Sequence, residues 1–370
     1  MTLKLPELIL AAAVSLALAG CDEPTPIEIG FIGGLSGRVA DLGVAALDGV
    51  RLAVEEQNRK GGIGGHPIQL VAEDDKQDPE TAKAAFASLA SRHIDTIIGP
   101  MTSAMAVTLA PLADERHVTL LSPTVTTSNL AGQDDYFVRV ITDTRQYAES
   151  SARFHFERRG IKSFVVLEDM QNRSYSESWA AEFRASFEGM GGKVTQILPF
   201  KSGQVGDFVG VARQAVDSHA EAVLILGGAA DAAQICQQIR LIDARIPLVT
   251  SEWAASEHFL ELGGDAVEGV FSSQVVDRES EQEPYVGFRR LFVERFQQEP
   301  GFAGIAGHDA ATVMIAALKE RRSGESLRST VLRIGDFSGL QGMIHIDRFG
   351  DSRRPTYITV IRNGKFIRTN

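Results

Sequence analysis

IEIGFIGGLSGRVADLGVAALDGVRLAVEEQNRKGGIGGHPIQLVA (27–72) is the stretch from which the architecture can be read. Ile27 to Ile32 is a short apolar run that ends in glycines, the pattern of a buried strand. From Val44 to Asn58 apolar residues recur at Leu47, Val50 and Val54 with polar ones between, which is a helical period. Gly61-Gly62-Ile63-Gly64-Gly65 stops that helix, glycine falling just past its C-terminus, and Ile68 to Ala72 is the next strand. The alternation then repeats. Pro79 to Ser91 reads as a helix opened by Asp78 as N-cap with Pro79 at its first position. Thr96 to Ile98 is a strand, Ser103 to Glu115 a helix and Val118 to Leu121 a strand. Further strands begin at Phe164, Val194, Ala222, Pro247 and Val270, and helices span Glu177–Gly189, Phe208–Ser218, Ala232–Asp243, Pro284–Gln298 and Asp309–Glu320. Strands alternating with helices imply parallel sheet covered on both faces. At least seven such units exceed one ordinary sheet, and 370 residues exceed one ordinary domain of ~150. Two doubly wound α/β lobes are expected.

The composition excludes several classes. The chain is 44% hydrophobic and 23% charged, with a mean hydropathy of −0.03, as in folded globular proteins. After the first twenty residues no run reads as long and apolar enough to cross a bilayer. A net charge of −11 without a basic block argues against nucleic acid as a partner. Two cysteines, Cys21 and Cys236, exclude a disulfide framework and a thiolate zinc site. No GxSxG, HExxH, GxxxxGK[ST] or CxxC motif occurs, and the eight histidines show no ligand spacing. The acidic stretch Glu73 to Asp78 lacks the glycine and distal glutamate of a calcium loop. The expectation is a protein that is not an enzyme and needs no cofactor or metal.

The N-terminus suggests the compartment. Met1 to Gly20 has a short n-region with Lys4, an apolar run from Leu8 to Ala19 and a small-residue end, the pattern of a secretory signal peptide. Leu18-Ala19-Gly20-Cys21 resembles a bacterial lipobox, which implies acylation of Cys21 and a lipid anchor. Residues 21–26 would then be a tether, Asp22 to Pro26 being stiffened by its prolines. Asp22 resembles the inner-membrane retention signal of some lipoproteins, so the expected location is periplasmic, anchored to the inner membrane. Cys236 lies in a helical pattern (AAQICQQIRLI) and reads as a buried, inert thiol.

Small hydroxyl residues gather where strands meet helices. Ser103 opens a helix after Gly99-Pro100-Met101. Helix N-terminal N–H groups with a serine hydroxyl can hold a carboxylate, although an ordinary N-cap has the same appearance. Ser122-Pro123-Thr124-Val125-Thr126-Thr127-Ser128 is a second hydroxyl-rich turn.

These elements, in this order, resemble the solute-binding proteins of branched-chain amino acid (leucine/isoleucine/valine-type) ABC transporters. The matching stretches are IGFIGGLSG (29–37), EQNRKGGI (56–63), Asp74-Asp75 with Asp78-Pro79, Ile98-Gly99-Pro100 with Ser103, and Ser122-Pro123. GGDAVEG (263–269) and His308-Asp309-Ala310-Ala311 follow. The resemblance runs from about Ile27 to Lys365. It implies a periplasmic binding protein type I fold, two lobes joined by a three-strand hinge that close on a ligand. Lobe 1 would comprise 27–145 and 276–340, lobe 2 146–275 and 341–370. It implies Ser103 and Thr126 on a ligand α-carboxylate, and the carbonyl around Thr124 with the carboxylate of Glu252 on the α-ammonium. Glu252 lies 13 residues before Asp265, the spacing the family shows. Tyr175 matches a pocket tyrosine. Where relatives place aromatics around an aliphatic side chain this chain has Leu42, Ala229-Ala230 and His308, so a wider or more polar pocket is expected. Gln77 and Thr102 stand where some relatives have a disulfide. Arg38 either faces an acidic solute group or is a solvated surface residue.

Two functions fit. In one, a monomeric binding protein captures an amino acid or amide-like solute and delivers it to permease subunits. In the other, a regulatory lipoprotein of the same fold activates a cell-envelope partner. The set Ser103, Thr126 and Glu252 favours the first, because an interaction module needs no ammonium counter-charge.

Overall fold

Seven residues after Pro26, five of them buried, form the strand β1 (Ile27–Gly33). The computed structural model describes residues 24–37 and 39–369, the side chains of 205–207 excepted. The leader, Cys21, Asp22 and Arg38 lie outside the described residues. After β1 come α1 (Ala40–Arg59), β2 (Ile68–Asp74), α2 (Pro79–Ser91), β3 (Thr96–Ile98), α3 (Ser103–Arg116), β4 (Thr119–Ser122) and β5 (Phe137–Arg139). Their sheet has the order β2-β1-β3-β4-β5 with every pair parallel. Asp78 caps α2 through its side chain, which accepts from the Thr81 N–H, and Pro79 holds the first turn.

The second lobe repeats the plan. It contains α4 (Thr144–Arg153), β6 (Ser163–Asp169), α5 (Arg173–Gly189), β7 (Lys193–Phe200), α6 (Val205–Asp217), β8 (Ala222–Leu226), α7 (Ala229–Ile242), β9 (Leu248–Thr250), α8 (Glu257–Gly263) and β10 (Phe271–Gln274). The parallel order β7-β6-β8-β9-β10 mirrors that of the first sheet. In such sheets a crevice opens beyond the carboxyl ends of the strands, where the order reverses. Two crevices facing each other make the cleft.

The remaining chain returns to the first lobe as α9 (Glu283–Phe296), α10 (Gly301–Glu320), α11 (Leu327–Ile334) and a small antiparallel sheet of β11 (Asp336–Gly339), β12 (Gly342–Ile346) and β13 (Ser352–Arg353). It ends in the second lobe with β14 (Tyr357–Arg362) and β15 (Lys365–Arg368), antiparallel on β10. The chain thus crosses between lobes at 140–143, 275–282 and 354–356. The third crossing, expected at 341, falls later. Residues 341–353 stay with the first lobe because the Gly350 carbonyl accepts from the Arg139 N–H and the Leu340 N–H donates to Asp309 Oδ1. Asp309 in turn pairs with Arg354 at 2.6 Å, a buried ion pair that ties the start of the third crossing to α10.

Among the described residues one helix, Gly301–Glu320, is long and apolar enough to cross a membrane, contrary to the expectation from sequence; its apolar stretch is 72% buried inside the fold. It lies against α1 at backbone contact. A Cβ on Gly307 would stand 2.2 Å from the Ala46 carbonyl oxygen, and one on Gly49 2.0 Å from that of Gly304. Gly307→Ala is therefore expected to destabilise the protein by about 2–3 kcal/mol, since forced helix separation is an overpacking cost. A thermal midpoint equal to that of the parent would show that the helices part freely. Cys236 is fully buried in α7, and burial pushes its thiol up to about 12.

Candidate functional site

Two strand ends of the first lobe converge on the cleft. Beyond β3, Met101 and Thr102 lead into α3; beyond β4, the turn 123–128 runs alongside it. The N-cap of α3 is Thr102, yet its side chain makes no cap bond. Its hydroxyl instead donates to Gln77 Oε1 at 3.0 Å, so a hydrogen bond joins the two positions at which some relatives carry a bridge. Ser103 follows as the first helical residue and does not cap the helix either. Its buried Oγ accepts from the Thr127 N–H at 3.3 Å, joining α3 to the second turn. Thr124 donates to the Met101 carbonyl at 2.6 Å.

From the second lobe come Glu252, two residues past the end of β9, and Tyr175 and Trp179, one turn apart on α5. Glu252 is 4% exposed. Tyr175 OH donates to its Oε1 at 2.9 Å, Trp179 Nε1 to its Oε2 at 3.0 Å, and Thr126 Oγ1 reaches across the cleft to Oε1 at 3.4 Å. Among the described residues no cation pairs with it. Burial therefore outweighs the three donors, and the carboxyl is pushed up to about 7. Thr126, expected on a ligand carboxylate with Ser103, has its hydroxyl turned to Glu252; the neighbouring Thr127 N–H is the group that meets Ser103.

Between the lobes lies a cavity of about 20 Å³, room for roughly one water. The first lobe lines it with Leu42, Met101, Ser103, Thr124 and Phe302, the second with Asn172, Tyr175, Glu252 and Trp253. A solute of amino-acid size enters only when the lobes part. Phe302 and Trp253 bring aromatic walls to this cavity from positions with no sequence signature. His308 does not line the cavity: it packs against the Phe288 ring at 4.7 Å, with Glu56 at 4.0 Å. Trp179 and Asn172 were also missed. The helical spacing of Tyr175 and Trp179, four residues apart, was the one signal that could have paired them. A larger open recess, about 790 Å³, lies elsewhere, where the first and third crossings meet. Its Arg145 and Arg354 are already paired with Glu182 and Asp309.

Two lobes of identical strand order, hinged by three crossings, with polar groups at facing strand ends, define a type I periplasmic binding protein fold. The chain belongs to the periplasmic binding protein family, whose model matches residues 26–365. Membership implies a periplasmic location. The Leu/Ile/Val-binding protein BraC3 of Rhizobium johnstonii is 26% identical over 281 residues, 75% of this chain and 74% of that protein. A leucine-, isoleucine-, valine-, threonine- and alanine-binding protein of Pseudomonas aeruginosa is 22% identical over 95% of this chain and 93% of its own. The crystal structure of the branched-chain amino acid transporter substrate-binding protein LivJ of Streptococcus pneumoniae, in complex with isoleucine, superimposes with a TM-score of 0.85 at 22% identity. It covers 93% of this chain and all of that one. These relatives are named as binding proteins, not enzymes.

Proposed function

We propose that this chain captures an amino acid with a small or branched aliphatic side chain between its lobes and delivers it to an ABC permease. Glu252 carries the reading. It is a buried carboxylate, surrounded only by neutral donors, and a solute ammonium would supply the missing counter-charge. Opposite it, the N-terminus of α3 with Ser103 offers N–H groups and a hydroxyl to a carboxylate. Leu42, Met101 and Phe302 offer an apolar wall for the side chain, and Thr124 and Tyr175 flank the polar end. Tethering through acylated Cys21, retention at the inner membrane through Asp22 and action as a monomer complete the proposal. The names of the relatives support the solute class.

A thermal-shift screen of the purified protein against twenty amino acids, their amides and small carboxylates tests it. A solute at ~100 times its Kd adds about 2.7 kcal/mol of apparent stability. A shift with leucine, isoleucine or valine that disappears in Ser103→Ala is expected. One observation favours the regulatory reading, namely that the lobes touch with so little space between them. No shift with any solute, from a well-folded sample, would move the assignment there.

A further inference from the structure

Asn172 stands at the N-cap of α5, where an asparagine ordinarily turns its side chain onto the N–H groups of its own helix. Here it makes no such bond. Its side chain crosses the cleft, and Oδ1 accepts from the Ala104 N–H at 3.0 Å. Ala104 is the second residue of α3, the helix whose own N-cap has spent its hydroxyl on Gln77. A second-lobe asparagine thus caps the first-lobe helix. It does so buried, at 6% exposure, and on the wall of the cavity beside Ser103. Further bonds join the lobes next to it. Thr127 Oγ1 donates to the Ser174 carbonyl at 2.7 Å, and the Ser128 N–H donates to Ser178 Oγ at 3.0 Å.

We infer that Asn172 is an internal competitor of the solute, its carboxamide oxygen holding the α3 N-terminus in the place a solute carboxylate must take. The inference rests on the amino-acid reading above. Capture is then an exchange: the carboxylate displaces Oδ1 from the Ala104 N–H, and the Asn172 amide moves aside. A protein latched in this way binds solute only from its unlatched fraction, and apparent affinity falls by that fraction. Asn172 thereby sets the solute concentration at which the protein fills.

The test compares the parent, Asn172→Ala and Asn172→Asp, using calorimetric titration with L-leucine and small-angle scattering without added solute. Losing one neutral hydrogen bond of the latch is expected to tighten L-leucine binding about threefold to tenfold in Asn172→Ala. That variant is also expected to scatter as a more open particle. A carboxylate at this position is a stronger partner for the helix N-terminus and repels the solute carboxylate. Asn172→Asp is accordingly expected to bind about tenfold more weakly. Weaker binding by Asn172→Ala would mean that the amide contacts the solute directly, and unchanged affinity with unchanged scattering would mean no latch; either overturns the inference. Should the parent bind no amino acid, the amino-acid reading fails separately. Scattering then decides alone: equal compactness of parent and Asn172→Ala sinks the latch, whereas a more open variant upholds it for a solute of another class.

Discussion

Glu252→Gln is expected to weaken L-leucine binding by at least about thirtyfold, because removing one partner of a buried, hydrogen-bonded charge pair costs ~2–5 kcal/mol. The substitution keeps the size and planarity of the group. Its oxygen can still accept from Tyr175, but its amide nitrogen cannot accept from Trp179 Nε1 and meets an ammonium donor to donor. The loss should be confined to amine-bearing solutes, so calorimetric titration with leucine beside its des-amino analogue, 4-methylpentanoate, reads it cleanly. Equal loss for both solutes would mean that Glu252 organises the cleft without meeting the amine. Trp179→Phe provides a milder companion. It keeps the aromatic packing on Phe183 and removes one donor, and a loss of about tenfold or less is expected.

Affinity for an amino acid is expected to fall on acidification through neutrality, where the free Glu252 carboxyl, at about 7, takes up a proton. A bound ammonium stabilises the carboxylate and lowers that pKa, so binding below pH 7 must expel a proton. Affinity should be nearly flat above about pH 8 and drop roughly tenfold per unit below 7. Titrations in buffers of different ionisation enthalpy would count the proton released. The stability of the solute-free protein should move the other way. Burial raises Glu252 to about 7 and Asp75 and Asp169 to about 6. Folded pKa values above the unfolded ones make the contribution of these groups largest at low pH, and it is lost as pH rises through 6–7. Buried His155 opposes them: held at about 3 by burial and by Arg159, it stays neutral while the unfolded chain protonates below about 6.5. Three raised carboxyls outweigh one depressed imidazole between pH 6 and 4.5, so the thermal midpoint should climb on going from pH 8 to about 5. A midpoint falling steadily over that range would show that these carboxyls are hydrated in solution.

Most of the strand and helix order was legible because each parallel strand is a short apolar run and each helix carries its own period and stop signals. The antiparallel closing strands were not read, although Asn363-Gly364 was available as a hairpin signal. Both residues have positive φ, 51° and 66°, as a type I′ turn requires. The small sheet after α11 escaped because its short strands alternate weakly. The third crossing was misplaced as a result. In the site, Ser103, Thr124, Thr126, Tyr175 and Glu252 were all named from the resemblance, and they do lie around one cleft. Their bonding was not legible: Ser103 turns to Thr127 and Thr126 to Glu252, partners 24 and 126 residues away in sequence.

The sequence by itself determined the two-lobed α/β architecture, because strand and helix periods are local and a lobe of parallel strands forces crossovers over both faces. It also determined the acidic, cysteine-poor character of the chain and the type of residue at each strand end. Only the tertiary structure decided what those residues do. Whether Glu252 is solvated or buried, whether the α3 N-terminus meets water, solute or Asn172, and whether Phe302 or His308 faces the cavity all depend on how two separately folded lobes meet. Such contacts join residues tens to hundreds of positions apart, and they carry no period for a sequence to display.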